Sequence, residues 1–239
     1  AVKSMGLDDL KPFNPQEKII EYLIDNDKNS NPLVKMTCES FANETASESP
    51  APGGGSIAAY MGALGAALAT MVANLSSHKR GWDDRWKEFS QWAETGQKVK
   101  DELLYLVDED TQAFNRIMEA MGLPKGSEQE KAARKAAMEE ATRYAIEVPM
   151  RTVEKSFEVF ALCAAMIENG NPNSISDAGV GVLCAKAAVT GAYLNVKINA
   201  SGLEDKTYAA EVTNRAAQFV QKANQLEREL LQRVEGVIG

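Results

Sequence analysis

Pro50-Ala51-Pro52-Gly53-Gly54-Gly55-Ser56 leads into an uncharged segment, Ile57 to Leu75, and the reading of these two stretches decides the fold. The prolines fix φ and hold the approach extended. The glycines allow conformations that residues with a Cβ avoid, and let another group come close to the backbone. Ser56 is a good N-cap for a helix beginning at Ile57. The run predicts a tight loop that delivers backbone N–H groups to a helix start, a place that attracts anions. A plain Pro/Gly linker before a core helix is the alternative. A P-loop is excluded, because Ile57 and Ala58 follow Ser56 where a nucleotide-phosphate site needs Lys and Ser/Thr.

Within the segment, Ala58, Gly62 and Ala66 are spaced by four, as are Ala69 and Ala73, and Gly65 lies beside them. Small residues at that spacing form a face that another helix can approach closely. The length raises a membrane span. Ala and Gly outnumber Leu and Ile, Asn74 sits near the end, and no aromatic belt or basic cluster frames it, so a helix buried all round in a soluble bundle is expected instead. Ala178 to Asn199 is a second such segment, interrupted by Lys186 and Lys197.

The 239 residues, 44% hydrophobic and 25% charged, have the balance of a globular protein. A formal charge of -8 and a pI near 4.9 argue against nucleic acid as the main partner. Cys38, Cys163 and Cys184 show no paired spacing, so neither a disulfide framework nor a zinc site is expected. With no signal peptide visible, the cytoplasm is the expected compartment. His78 is the single histidine, beside Lys79 and Arg80 at an expected helix end. Zinc sites built on several histidines are excluded, and acid–base chemistry falls to Asp, Glu, Lys or Tyr.

The rest of the chain reads as helices. Val34 to Ser47 predicts one, with Thr37 as N-cap and Phe41 and Ala42 facing inward. From Asp83 to Met121, residues Leu103, Leu106, Val107, Phe114, Ile117 and Met121 form one apolar stripe. Asp110 falls on that stripe, as either a structural ion pair or a working carboxylate; Asp108 and Glu109 are expected in solvent. Ser127 to Glu130 reads as a capping box, and Pro149 should kink or end the helix that follows. A helix then resumes from Arg151. Asp177 stands at the start of the second small-residue helix, where a cap is its simplest role. Glu204 to Val237 carries the seam of a bundle or coiled coil. The fold class is all-α: long helices bundled around two small-residue-rich buried helices. Residues 1–32, with a short helix from Gln16 to Ile24 and a polar linker, stand apart from the helical domain 33–239.

The Pro-Ala-Pro-Gly-Gly-Gly-Ser run with its Ala/Gly helix resembles the opening of the formiminotetrahydrofolate cyclodeaminase family. Asp110-Thr111-Gln112-Ala113-Phe114-Asn115, Val148-Pro149, Ser176 to Val180 and Asn195 to Asn199 are similar to later segments of that family, in order. Leu7 to Phe13 with Lys18 to Tyr22 is similar to the end of formiminotransferase domains, which precede the cyclodeaminase domain in bifunctional enzymes. The resemblance implies a folate-dependent ammonia lyase of histidine degradation and one-carbon metabolism. It would convert 5-formiminotetrahydrofolate to 5,10-methenyltetrahydrofolate, with no cofactor beyond the tetrahydrofolate substrate. It also implies a homodimer with folate, polyglutamylated forms included, at the subunit interface, and no nucleic-acid or membrane partner. Asp110 and Asp177 are then the candidate catalytic carboxylates. Gly53, Gly54, Gly55 and Ser56 would bind part of the folate through backbone N–H groups, and Lys186 either a folate carboxylate or an acidic neighbour in an ion pair at the core edge. A methenyltetrahydrofolate cyclohydrolase and a non-catalytic helical assembly module are the alternatives.

Overall fold

A computed structural model describes residues 33–239. The expected Gln16–Ile24 helix and the transferase-like tail lie outside the described residues. A 3-10 turn at Leu33–Lys35 is followed by six α-helices: α1 Cys38–Thr45, α2 Gly54–Ser77, α3 Trp86–Gly122, α4 Glu128–Asn169, α5 Ile175–Ser201 and α6 Lys206–Ile238. Among the described residues there is no strand, and the all-α expectation holds.

The two small-residue helices, α2 and α5, pack directly on each other, and α3, α4 and α6 wrap around them. Their crossing requires glycine. A Cβ on Gly65 would lie 2.9 Å from the Gly181 carbonyl oxygen, and one on Gly181 would lie 3.2 Å from that of Gly65. Each backbone therefore occupies the space where the other's side chain would be. Phe89, Leu103, Leu106, Ile146, Phe160 and Leu203 are fully buried in the surrounding layer. Burying such a side chain contributes about 1.5–3 kcal/mol. At the bend between α2 and α3, Trp82 stacks on Phe89 with centroids 5.6 Å apart.

Several local expectations are corrected. α2 starts at Gly54 with Gly53 as N-cap, so Ser56 sits inside the first turn and is not the cap. Thr37 does cap α1, accepting from the Ser40 N–H at 3.0 Å, but Ala42 is exposed while Phe41 packs on Tyr60. α2 and α5 are not buried all round: Leu64, Met71 and Leu75 on α2 and Val180, Leu183, Leu194 and Ile198 on α5 are exposed. By length and composition both could cross a membrane, yet 61% of the apolar window of α2 is buried inside the bundle. Of the α3 stripe, Leu103, Leu106 and Val107 are buried and Ile117 partly so, while Phe114 and Met121 emerge. Glu109 is buried rather than solvated, and Asp108 accepts the Leu33 N–H.

The capping box at Ser127 and Glu130 forms as expected. Pro149, however, neither ends the helix nor splits it, and α4 runs unbroken from Glu128 to Asn169. An interior proline removes the N–H that would bond the carbonyl four residues back, here that of Ala145. The loss is made good from outside: Asn199 on α5 donates its amide N–H to the Ala145 oxygen at 2.6 Å.

Gly65→Ala should force α2 and α5 apart and lower stability by about 1–3 kcal/mol, the usual cost of overpacking. Gly236→Ala on α6, where a Cβ meets nothing within 4 Å, should be neutral or slightly stabilising. Urea unfolding midpoints of the two variants check the contrast.

Candidate active site

The start of α2 faces the middle of α3. Asp110 turns its carboxylate onto the first turn of α2, where the Ser56 N–H donates to Oδ2 at 2.9 Å. The Ser56 hydroxyl lies 3.1 Å from the same oxygen and 2.9 Å from the Val107 carbonyl oxygen. A hydroxyl has one proton, so it can serve the carboxylate or turn to Val107 when Oδ2 is itself protonated. The anion drawn to this helix start is the protein's own carboxylate, and the Ser56 N–H is therefore not open to a ligand.

Gly55 makes the approach possible. A Cβ there would fall 2.1 Å from Asp110 Oδ1. Among the described residues, only Gly81 and Gly239 have positive φ, so the glycines of the loop serve by leaving space rather than by unusual backbone angles.

Burial pushes the Asp110 carboxyl above the ordinary aspartate range, and the two Ser56 hydrogen bonds pull partly the other way. A carboxyl poised in this manner can hold a proton nearer neutral pH and give it up to a reacting group.

Beside it lies a cavity of about 150 Å³. Pro50, Gly53 to Gly55, Asp110 and Thr111 line one part, and Phe114 and Ile117 supply apolar walls. Asn195 and Asn199 of α5 complete the lining. Each has its amide nitrogen committed to a backbone carbonyl: Asn195 to Gly191 at 2.9 Å and Asn199 to Ala145 at 2.6 Å.

The other sequence candidates lie elsewhere. Asp177 is in the first turn of α5, eighteen residues or about 27 Å along the helix from Asn195. Within one chain it is not brought to Asp110. Nor does it cap α5, whose N-cap is Ser174. Lys186 pairs with Glu227 of α6 at 3.3 Å, both side chains half-buried, which is the core-edge ion pair foreseen as one of its two roles. His78 is exposed at the end of α2. The cysteines are free, and burial drives the Cys163 thiol up to about 12, which leaves it unreactive. Asn195, Asn199 and Phe114 were named in segments similar to the family, and Phe114 on the α3 stripe, but none was assigned to the site from sequence. The available signal was the i, i+4 spacing of the two asparagines on an otherwise apolar helix.

The cavity thus brings together one raised carboxyl, two oriented amides and apolar walls. Residues 37–218 match the formiminotransferase-cyclodeaminase family. Formimidoyltransferase-cyclodeaminase of Gallus gallus is 36% identical over 224 residues, 94% of this chain but 41% of that protein. Methenyltetrahydrofolate cyclohydrolase of Methylorubrum extorquens is 38% identical over 202 residues, 84% of this chain and 97% of that protein. The crystal structure of formiminotetrahydrofolate cyclodeaminase from Thermotoga maritima superposes with a TM-score of 0.69 at 26% identity, covering 86% of this chain and 96% of that one. The chain belongs to the formiminotransferase-cyclodeaminase family, whose relatives here are folate-processing enzymes of the cyclodeaminase and cyclohydrolase type. It spans less than half the length of the bifunctional relatives it matches.

The raised Asp110 carboxyl has a consequence for stability. Its folded-state pKa lies above the unfolded one, so the native state binds the proton more tightly, and stability falls as pH rises from the unfolded value through the folded one. Asp110→Asn removes that loss. The variant's melting temperature should exceed that of wild type at neutral pH, with the gap narrowing toward pH 4 and vanishing below it. Parallel melts from pH 3.5 to 7.5 test this; a gap independent of pH would mean the carboxyl is not raised.

Proposed function

We propose that the chain is the cyclodeaminase: it converts 5-formiminotetrahydrofolate to 5,10-methenyltetrahydrofolate and releases ammonia. The observation that carries this reading is Asp110, half-buried, raised in pKa and set at the wall of a cavity by Ser56 and Gly55. In the reaction, N10 of the folate attacks the formimino carbon and loses its proton. The tetrahedral intermediate then expels the former imino nitrogen, which leaves as ammonia only after taking a proton. One carboxyl can do both, accepting from N10 and donating to the leaving nitrogen. Ser56 holds Oδ2 throughout, leaving Oδ1 toward the reacting atoms. Holding N10 against the amidine carbon supplies a further share of the rate. Gly53 and Gly54 offer backbone N–H groups at the mouth of the cavity for the folate. Neither Asp177 nor Lys186 acts in the same protomer's site in this reading.

A match at 34% identity to the Sus scrofa formimidoyltransferase-cyclodeaminase extends over 234 residues, 98% of the chain, and so takes in most of residues 1–32. That favours the deaminase, because a transferase end fused ahead of it would supply the formimino group in histidine degradation. The cyclohydrolase reading is favoured by one fact: the Methylorubrum relative is matched over 97% of its length.

We further propose that two copies assemble into a homodimer in the cytoplasm. The cavity of about 150 Å³ is small beside the roughly 300–1,000 Å³ of ordinary ligand sites, so a folate needs another wall. Leu64, Met71 and Leu75 on α2, at helical spacing, and Leu194 and Ile198 on α5 leave apolar surface for a second copy to cover.

Incubation with 5-formiminotetrahydrofolate should yield methenyltetrahydrofolate absorbance and ammonia together, with Asp110→Asn slower by about 10²–10⁴-fold. Hydrolysis of added 5,10-methenyltetrahydrofolate without any ammonia from the formimino compound would replace this reading with the cyclohydrolase. Neither reaction, with no folate bound, would leave the assembly module. In sedimentation, wild type should run as a dimer, and Leu64→Glu combined with Ile198→Glu should shift it to monomer; a monomeric wild type would overturn the dimer.

A further inference from the structure

Pro149 and Asn199 form a device that the reaction scheme above does not use. The proline withdraws the N–H that would occupy the Ala145 carbonyl, and Asn199 reaches across from α5 to donate to that oxygen at 2.6 Å. A carbonyl oxygen only accepts, so the atom facing it must be the amide nitrogen. The Asn199 ring of options thereby closes to one orientation, with Oδ1 directed away from Ala145. Asn195, one turn earlier and beside Gly54, is fixed in the same sense by the Gly191 carbonyl. Both asparagines line the cavity that holds Asp110, and among the described residues nothing donates to either Oδ1. Each amide thus brings to the cavity an Oδ1 that accepts from none of the described residues, beside one N–H not committed to a carbonyl.

We propose that Asn199, oriented by Pro149, accepts a hydrogen bond from the terminal nitrogen of the substrate's formimino group and so selects an N–H-bearing one-carbon unit over its oxygen counterpart. The inference rests on the cyclodeaminase reading and goes beyond it to specificity. The formimino nitrogen carries two N–H bonds when the amidine is protonated. One can meet Asn199 Oδ1 and the other the Asp110 side of the cavity. A formyl oxygen in the same place has no hydrogen to offer, so Asn199 Oδ1 would go unpaired. A site built to hydrogen-bond a donor rejects an analogue lacking it, because its own polar groups then go unpaired. Pro149 is a positioning residue here: it touches no substrate and acts by keeping the Ala145 oxygen available.

The test compares the inhibition constant of 5-formyltetrahydrofolate with the KM for 5-formiminotetrahydrofolate. In wild type that ratio should be about 10–100, the worth of one hydrogen bond to a charged group. Asn199→Leu should bring it close to one, by raising the KM far more than the inhibition constant. Pro149→Ala restores an N–H to the Ala145 oxygen and frees the Asn199 amide to turn; it should lower the ratio several-fold in a protein at least as stable as wild type. Because Pro149→Ala adds a helix hydrogen bond, it decides the matter even where Asn199→Leu does not fold. An unchanged ratio in Pro149→Ala and Asn199→Leu, or equal weakening of both ligands, overturns the role of Asn199 and leaves the cyclodeaminase intact. A wild type that releases no ammonia at all overturns the underlying reading instead.

Discussion

A carboxylate resting on the first turn of a helix organises this protein. Asp110 lies on the largely buried side of α3, where an unpaired charge would be costly. Ser56 meets it with a backbone N–H and a hydroxyl, and the α2 dipole adds about 0.3–1 kcal/mol in its favour. The contact can form only because position 55 lacks a side chain, so a requirement for glycine in the loop follows from the position of an acid one helix away. The same contact fixes the height of α2 against α3. From that point α2 descends to its crossing with α5, where Gly65 and Gly181 again interlock without side chains. Close approach therefore does two jobs along one helix: it places the acid at the upper end and closes the core in the middle.

The site is assembled from local departures from regular helix. α2 contributes an end, α3 a polar residue on an apolar stripe, α4 a proline inside the helix and α5 a pair of asparagines on a face of alanines and glycines. Each departure alone would be a cost, and each is met by another helix. The orphan N–H of α2 finds Asp110, and the orphan carbonyl of α4 finds Asn199. Stability given up locally at such points is regained through contacts between elements, which is where strained and polar features of a functional site are usually maintained.

How much of this the sequence disclosed depends on the range of the interaction involved. The all-α class, the two small-residue helices, the Ser127 capping box and the Thr37 cap all follow from patterns within a few residues, and all are present. Asp110 stood out because a charge on an apolar stripe is itself a local anomaly. Ser56 was misread as a cap: its true partners, Asp110 and the Val107 carbonyl, lie more than fifty residues away. Pro149 was read as a kink or an end, and that the helix continues through it depends on a donor that sits on α5. Asp177 and Lys186 drew notice as charged groups on apolar helices, yet position along α5 matters as much as residue type. Asp177 lies near the far end of the helix from Asn199, and Lys186 lies between them, facing Glu227 on α6.

The balance of donors and acceptors bears on which one-carbon reaction this framework suits. Both the deaminase and the hydrolase pass through a tetrahedral carbon between N5 and N10, and both need a proton moved at that carbon. They differ in the third substituent, a nitrogen that must leave or an oxygen that must arrive. A cavity lined by a carboxyl and two amide oxygens offers acceptors to an amine and its protons. To an incoming water it offers the same carboxyl as base, with the buried, unpartnered Thr111 hydroxyl in the same lining. The apolar walls at Phe114 and Ile117 also limit the room for water beside the acid. In the proposed deaminase reading these acceptors would serve the amine on its way out. On that reading one ionisable group at the centre of the site can suffice, because a single carboxyl would take the proton from N10 and return it to the leaving nitrogen.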